Sequence, residues 1–434
     1  MHPLKAMTVN RQKGGRLAIP SYCTGSLPVI RTALRRAART GYPVLIEATA
    51  NQVDQNGGYT GLRPSDYYEM VMKMADEEGL DRDLLILGGD HLGPLTWAHL
   101  PEKEAMANAE VLVREYVRAG FTKIHLDTSM KLADDPEGDF PPEIPARRGA
   151  RLYKAAMAAY EERLRAVPGA ERPVFVIGSE VPVPGGAQEK EEGLSVTSPA
   201  AFSETMEAYM KYFNQEGMPD AMDDVIACVV QPGVEFGDEQ IFRYDSGAAA
   251  DLMAALRDHP GLVFEGHSTD YQPRESLRAM TEDGVGILKV GPALTFAYRE
   301  GLFALNMIEE ELIPAPDRSF FDDILEQVML EDPGKWEAHY HGSPEELKLK
   351  RRYSFSDRSR YYMGHPKVRA AVDKLISNLR NADIRLSMLH QYMPLQYDAV
   401  RDGLLPKDPE ALLADHVERV MEDYEYACRA EPVK

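Results

Sequence analysis

Cysteine is nearly absent from this chain. Its 434 residues hold three, Cys23, Cys228 and Cys428, far apart and without a CxxC pair. That argues against a disulfide framework or a thiolate zinc site and fits a reducing cytoplasm. Long apolar runs are also missing, and none reaches the roughly 20 residues that cross a bilayer as a helix. Met1 to Arg16 is polar and basic with no apolar centre, so it does not read as a secretory signal. Positive charge is in short supply: 49 Lys and Arg face 70 Asp and Glu, a formal net charge of −21. Such a surface disfavours nucleic acid and anionic membranes as partners, although a small site can still be locally positive. Neither GxxxxGK[ST] nor GxGxxG occurs, which argues against a nucleotide site.

What is present is a recurring unit. Short segments rich in β-branched residues end in glycine or polar groups: "LAIPSYCTG", "PVLIEATANQ", "LLILGGDH", "TKIHLDTS", "PVFVIGSEVPVPGG", "VIACVVQPG", "GLVFEGHSTD" and "VGILKVGPALT". Buried parallel strands have this character. Strands are expected near residues 17–25, 44–51, 84–91, 122–129, 173–181, 225–233, 261–267 and 287–292. Stretches with helical spacing alternate with them, such as "EKEAMANAEVLVREYVRAG", stopped by Gly120. Eight strand–helix alternations predict a (β/α)8 TIM barrel over residues 1–312, with a doubly wound open sheet as the alternative. From about Ile313 the pattern becomes helices joined by Pro- and Gly-bearing loops, a helical C-terminal extension over 313–434 that packs on the barrel.

In a closed barrel the C-terminal strand ends converge on one face. One polar strand end is a helix cap; eight of them, with carboxylates, histidines and a lysine, predict an active site. His91 and His267, with oxygen donors from Glu180, Asp127 or Gln231, form the expected ligand set for one divalent metal. Mixed imidazole and carboxylate donors suit Zn, Mn, Ni or Co, with Mg also considered, better than Ca. Asp90 adjoins His91, so strand alternation turns it elsewhere and predicts a proton carrier beside the metal. Glu47 is a second acid/base candidate or orients a ligand. In "KIHLDT", His125 is expected to face the surrounding helices and is not counted as a ligand.

The loops after the last two strands are the usual phosphate sites of such barrels. Gly266 and Gly291 would let backbone N–H groups approach an anion, Ser268 offers a hydroxyl, and Lys289 offers charge or a barrel-interior ion pair. Farther on, "KLKRRYSFSDRSRYYMGHP" is dense in Arg, Tyr and Ser. It reads either as a solvated loop or subunit contact, or as a lid over Lys348 to His365 that brings Arg358 or Arg360 to an anionic substrate.

At these strand ends the chain resembles the Z-type subunit family of tagatose-1,6-bisphosphate aldolase. The residues that carry the resemblance are "LIEATANQVDQNGGYTG", "LILGGDHLGP", "AGFTKIHLDTSM", "IGSEVPVPGG", "VVQPGVEF", "STDYQ", "LKVGPALTFAYREGLFAL" and "YSFSDRSRYY". The resemblance implies a barrel related to class II aldolases, acting on ketohexoses or their phosphates. Within such a family it implies either a non-catalytic partner of a separate aldolase subunit or a metal-dependent ketose 4-epimerase. Class II aldolases place an Asp directly before a metal His, as Asp90 and His91 stand here, and His267 resembles their later ligand. On the sixth strand they carry a further His where this chain has "VVQPG". The resemblance therefore implies an incomplete three-histidine site and altered chemistry: 4-epimerisation by retro-aldol cleavage and re-addition at C3–C4. The expected partners are a small sugar or sugar phosphate and a second copy or an aldolase subunit.

Overall fold

The computed structural model describes residues 1–138, 140–178 and 194–429. Eight parallel strands close into a barrel: β1 (Ile19–Cys23), β2 (Val44–Thr49), β3 (Leu85–Leu92), β4 (Lys123–Leu126), β5 (Val174–Gly178), β6 (Val225–Val230), β9 (Val263–Gly266) and β10 (Val285–Val290). β7 (Glu235–Phe236) and β8 (Ile241–Phe242) form a small antiparallel hairpin after β6, which the sequence reading did not anticipate. Because β1 pairs with both β2 and β10, the sheet has no edge and the open-sheet alternative is excluded. Every strand falls within about two residues of its expected span at its N-terminal end.

The helices between strands are α2 (Leu27–Thr40), α3 (Pro64–Glu77), α4 (Glu102–Ala119), α5 (Glu143–Ala166), α6 (Pro199–Gln215), α7 (Ser246–Ala255), α8 (Arg274–Asp283) and α9 (Pro292–Leu312). A helix not expected from the sequence, α1 (Pro3–Gln12), precedes them. Its Leu4 and Met7 join Ile19, Leu45, Ile86, Val174, Val263 and Ile287 in one apolar cluster, which plugs the N-terminal end of the barrel. Strand alternation explains the layers above it. Two residues farther along, Ser21, Glu47, Gly88, Lys123, Glu265 and Lys289 stack as a polar layer, joined across the sheet by the registers Ser21–Lys289 and Gly88–Lys123. The intervening residues, among them Tyr22, Ile46, Leu87, Ile124, Phe175, Phe264 and Leu288, pack outward against the helices.

The C-terminal region holds α10 (Phe321–Glu331), α11 (Pro344–Tyr353), α12 (Pro366–Arg380), α13 (Leu386–Tyr392), α14 (Pro394–Arg401) and α15 (Pro409–Cys428). Leu302 and Leu305 of α9 share a second core with Phe321, Leu325, Leu375 and Leu389. α15 then returns to the barrel wall against α2, α8 and α9. Its Glu418 and Glu425 hold the buried Arg36 of α2 at 2.9 and 2.7 Å. Among the described residues no helix is long and apolar enough to cross a membrane.

Candidate metal centre

The site is built where β3, β4 and β9 end. Asp90, His91, His125 and His267 are all buried, and each offers a ligand atom that lies within 4.8 Å of the others. The three imidazole centroids are 4.9 to 5.4 Å apart. Asp90 and His91 both reach this cluster although they are consecutive, because His91 adopts a left-handed backbone with φ 48°. That local turn breaks the alternation on which the sequence reading separated them, and β3 loses regular register with β4 at this point. The glycines before them have a steric reason. A Cβ on Gly88 would lie 2.8 Å from Glu47 Cγ, and one on Gly89 would lie 2.7 Å from the Tyr116 ring.

His125 corrects an expectation. It does not face the helices; its ring lies inside the barrel and is fully buried. The signal was present in the sequence. In Lys123-Ile124-His125-Leu126-Asp127 the polar residues share one parity, so placing Asp127 inward requires His125 inward as well.

Each imidazole has one nitrogen committed to an oxygen. His91 Nδ1 donates to Asp127 Oδ2 at 2.8 Å, His125 Nε2 donates to the Gly178 carbonyl at 2.9 Å, and His267 Nε2 lies 2.9 Å from Glu265 Oε1. Oxygen partners of this kind fix ring orientation and tautomer in metal-binding histidines. With its Nε2 so used, His125 Nδ1 accepts from the His91 backbone amide at 3.2 Å and lies 2.9 Å from Asp90 Oδ1. Three imidazoles gathered beside one carboxylate fit a divalent metal held by His91, His125 and His267, with Asp90 next to it.

Asp127 serves this set from behind: its Oδ1 accepts from the Ser129 amide and hydroxyl at 3.2 and 2.7 Å while Oδ2 holds His91. Gln231 is not brought into the cluster. Its Oε1 accepts from the amides of Gly233 and Val234 at 2.8 and 2.9 Å, capping the turn after β6. Glu180 lies outside the described residues.

Beneath the histidines runs a charged network. Lys123 Nζ sits 2.8 Å from Glu47 and 2.7 Å from Glu265, and all three side chains are inaccessible to solvent. Lys289 Nζ lies 2.6 Å from Asp90 Oδ2 and 3.3 Å from Glu47, so it makes the barrel-interior ion pair. Glu47 also accepts from Ser21 Oγ at 2.6 Å, so its partners are Ser21, Lys123 and Lys289 rather than the histidines. Burial alone would raise the Asp90 carboxyl, but His91, Lys289, His125 and His267 outweigh it and hold Asp90 well below the ordinary carboxylate range. Burial would likewise lower Lys289, yet Asp90 and Glu47 keep it raised.

The phosphate cradle expected after the last strands is already filled. Gly291 and Ala293, at the start of α9, donate their amides to Asp270 Oδ1 at 3.0 and 2.8 Å. Gly266 packs in the barrel wall, where an added Cβ would meet Met280 at 3.1 Å and Val285 at 3.2 Å. Ser268 takes a left-handed backbone with φ 50° in the loop after His267.

Residues 354–361 cross the C-terminal mouth as a strap. The Phe355 amide donates to the Asp238 carbonyl in the β7–β8 hairpin at 2.9 Å, and Tyr271 Oη, after β9, donates to the Phe355 carbonyl at 2.6 Å. Asp357 is pinned to α9 by Arg299 at 2.9 Å and Thr295 at 2.6 Å. Tyr361 meets Tyr59, from the loop after β2, edge to face at 4.9 Å. Arg358 and Arg360 ride on this strap.

The family model of D-tagatose-1,6-bisphosphate aldolase subunit GatZ/KbaZ-like proteins matches residues 4–429. The chain belongs to this family. A crystal structure of a protein described as a probable tagatose 6 phosphate kinase, from Sinorhizobium meliloti 1021, is 44% identical over 95% of this chain and 100% of that one, with a TM-score of 0.86. The YdjI aldolase from Escherichia coli K12 shares 12% identity over 83% of this chain and 95% of that one, at a TM-score of 0.41. The fructose-bisphosphate aldolase of Campylobacter jejuni shares 15% over 87% and 91%, at 0.42. These two likenesses are too distant to carry an argument.

Proposed function

We propose that this chain is a metal-dependent 4-epimerase of a ketohexose or ketohexose 6-phosphate of the fructose/tagatose type. The observation that supports it is the gathering of three imidazoles and the Asp90 carboxylate at one buried point at the barrel mouth. His91, His125 and His267 would hold a divalent ion, with Zn, Mn, Ni or Co better matched to these donors than Mg. When bound, the ion would polarise the ketose C2 carbonyl. Asp90 takes the proton from the C4 hydroxyl. The C3–C4 bond then breaks, its electron pair moving toward the C2 oxygen while C4 becomes an aldehyde. The aldehyde turns its other face, the bond re-forms, and Asp90 returns the proton to the C4 oxygen. Lys289 holds the Asp90 carboxylate in place at 2.6 Å, and Glu47 positions Lys289 from below. In this reading residues 1–312 carry the chemistry, and the extension 313–434 supplies the strap that keeps the fragments from escaping.

A second reading, supported by the word subunit in the family description, is a non-catalytic chain that stabilises a class II tagatose-1,6-bisphosphate aldolase; a direct aldolase is the third. The deciding experiment incubates the purified chain alone, with each candidate metal, against fructose, tagatose and their 6-phosphates. Interconversion at C4 supports the epimerase. A chain inert with every metal and ketose that still raises the activity of an aldolase subunit refutes it in favour of the partner reading. Release of free triose products would indicate the direct aldolase, and ATP consumption with tagatose 6-phosphate would point to the activity ascribed to the Sinorhizobium protein.

A further inference from the structure

We propose that Arg358 and Arg360 on the strap form the anion end of the substrate site and take the phosphate monoester of a ketohexose phosphate. The choice of sugar rests on the reading above; the anion site itself stands on the observations that follow.

Five arginines are buried among the described residues: Arg36, Arg148, Arg299, Arg351 and Arg358. Four have a carboxylate within ion-pair distance: Glu425 at 2.7 Å, Glu102 at 2.7 Å, Asp357 at 2.9 Å and Glu326 at 2.6 Å, respectively. Arg358 alone of the five has none, although only 8% of its surface is exposed. Its Nε donates to the Lys335 carbonyl, and neither Nη atom has a hydrogen-bond partner among the described residues. Among the described residues Arg360 has no carboxylate ion pair either; it donates to the carbonyls of Ser356 and Asp357 and to Tyr361 Oη. The two guanidinium groups lie over one ring, 5.0 and 4.4 Å from the Tyr361 centroid. The strap's own carboxylate, Asp357, is engaged by Arg299, Thr295 and Ser359. A buried cation without an anion is disfavoured, so Arg358, with the half-buried Arg360 beside it in a chain of net charge −21, marks a place where an anion arrives from outside. The same field is felt by Tyr361: burial would raise its phenol, but Arg360 and Arg358 outweigh that and lower it.

Location ties this pair to the barrel mouth. Tyr361 stacks edge-on against Tyr59, whose hydroxyl lies 3.9 Å from the position of a Cβ built on Gly25, at the end of β1. Two residues earlier, Cys23 Sγ is 3.4 Å from Asp90 Oδ2. The alternative cradle at the start of α9 is closed by Asp270. The planar guanidinium fork of Arg358, with both Nη groups unspent, matches the oxygens of a phosphate monoester.

The test uses the full chain and inorganic phosphate as the first probe, by calorimetry, with Arg358→Gln as the variant. Loss of a charge-assisted contact of this kind lowers affinity about 10-fold to 100-fold. The expected result is phosphate binding by the wild type that weakens by that factor in Arg358→Gln, with metal content unchanged. A wild type that binds no phosphate at millimolar concentration, or a folded Arg358→Gln that binds as well as the wild type, overturns the proposal. A second measurement needs no variant: phenylglyoxal modification of Arg358 and Arg360 in the wild type, mapped by mass spectrometry, should be slowed by phosphate and not by chloride at equal ionic strength. Equal protection by the two salts overturns it. With sugars, Arg358→Gln should raise KM for the 6-phosphates far more than for unphosphorylated fructose and tagatose; an equal rise for both would overturn the phosphate assignment. Phosphate binding that depends on Arg358 in a chain without epimerase activity would refute the reaction proposed above and uphold the anion site.

Discussion

Replacing Lys123 by methionine tests whether the charged layer inside the barrel is held by this one ammonium group. Lys123 Nζ lies 2.8 Å from Glu47 and 2.7 Å from Glu265, with no solvent access to any of the three. At an effective dielectric constant of about 20, each contact is worth roughly 6 kcal/mol before desolvation is subtracted. Desolvation cancels much of this, but removing one partner of a buried pair typically costs about 3–5 kcal/mol, here as an upper figure because Glu47 keeps Lys289 at 3.3 Å and Glu265 keeps His267 at 2.9 Å. A second route reaches the same range: if a stranded carboxyl takes up a proton instead, neutralising an ordinary glutamic acid at pH 7 costs about 3.7 kcal/mol. With an unfolding entropy of about 2.1 cal/mol/K per residue, this 434-residue chain should melt about 3–6 °C lower. The assay is thermal unfolding of wild type, Lys123→Met and Lys123→Met/Glu47→Gln in metal-free buffer at pH 7. The double variant should recover part of the loss, because one of the two stranded charges is gone. A single variant that melts at or above the wild-type temperature would show that desolvation outweighs the attraction and would refute the reasoning.

His125→Ala should lower metal affinity about 10-fold or more, as should His91→Ala and His267→Ala, because even losses behind a ligand reach that size; metal content by mass spectrometry checks it, and full retention in His125→Ala would remove β4 from the ligand set. Asp90→Asn should lower turnover by about 10²- to 10⁴-fold while the fold persists, since an amide of nearly the same size moves no proton in the working range; unchanged turnover would take Asp90 out of the reaction. Asp270 gives a pH signature: burial pushes its carboxyl up to about 6, only partly offset by the amides of Ala293 and Gly291 and by Arg360. The folded chain then binds this proton more tightly than the unfolded chain, whose ordinary value is 3.8. Stability from this group is therefore greatest below about pH 4 and falls as pH rises through about 6, by on the order of 3 kcal/mol. Asp270→Asn should remove that slope, so the stability difference between variant and wild type should grow in the variant's favour from pH 4 to 6. A difference that stays constant across that window would contradict the assignment.

The order of residues by itself determined the barrel. Eight β-branched segments alternating with amphipathic helices leave few other ways to bury their apolar faces, and the eight barrel strands β1–β6, β9 and β10 lie where those segments do. It also determined that polar side chains collect at the strand ends, since parallel strands in a closed barrel all point one way. The N-terminal plug α1 was not legible, because Leu4 and Met7 stand in a polar stretch and gain meaning only against the barrel floor. Which polar groups meet was decided by the tertiary structure. Closure sets which strand parity faces inward, and that placed Lys123 and His125 inside, against the habit of reading a lysine as exposed. A single left-handed residue, His91, then turned two consecutive side chains to one point, a backbone choice that side-chain pattern does not encode. The start of α9 looked open to an anion until the fold brought Asp270 to its amides, while the strap that carries Arg358 and Arg360 meets the loop after β2 through Tyr361 and Tyr59, far apart in the chain. Both depend on contacts between residues distant in sequence, and the energy of such contacts exists only once the chain has closed on itself.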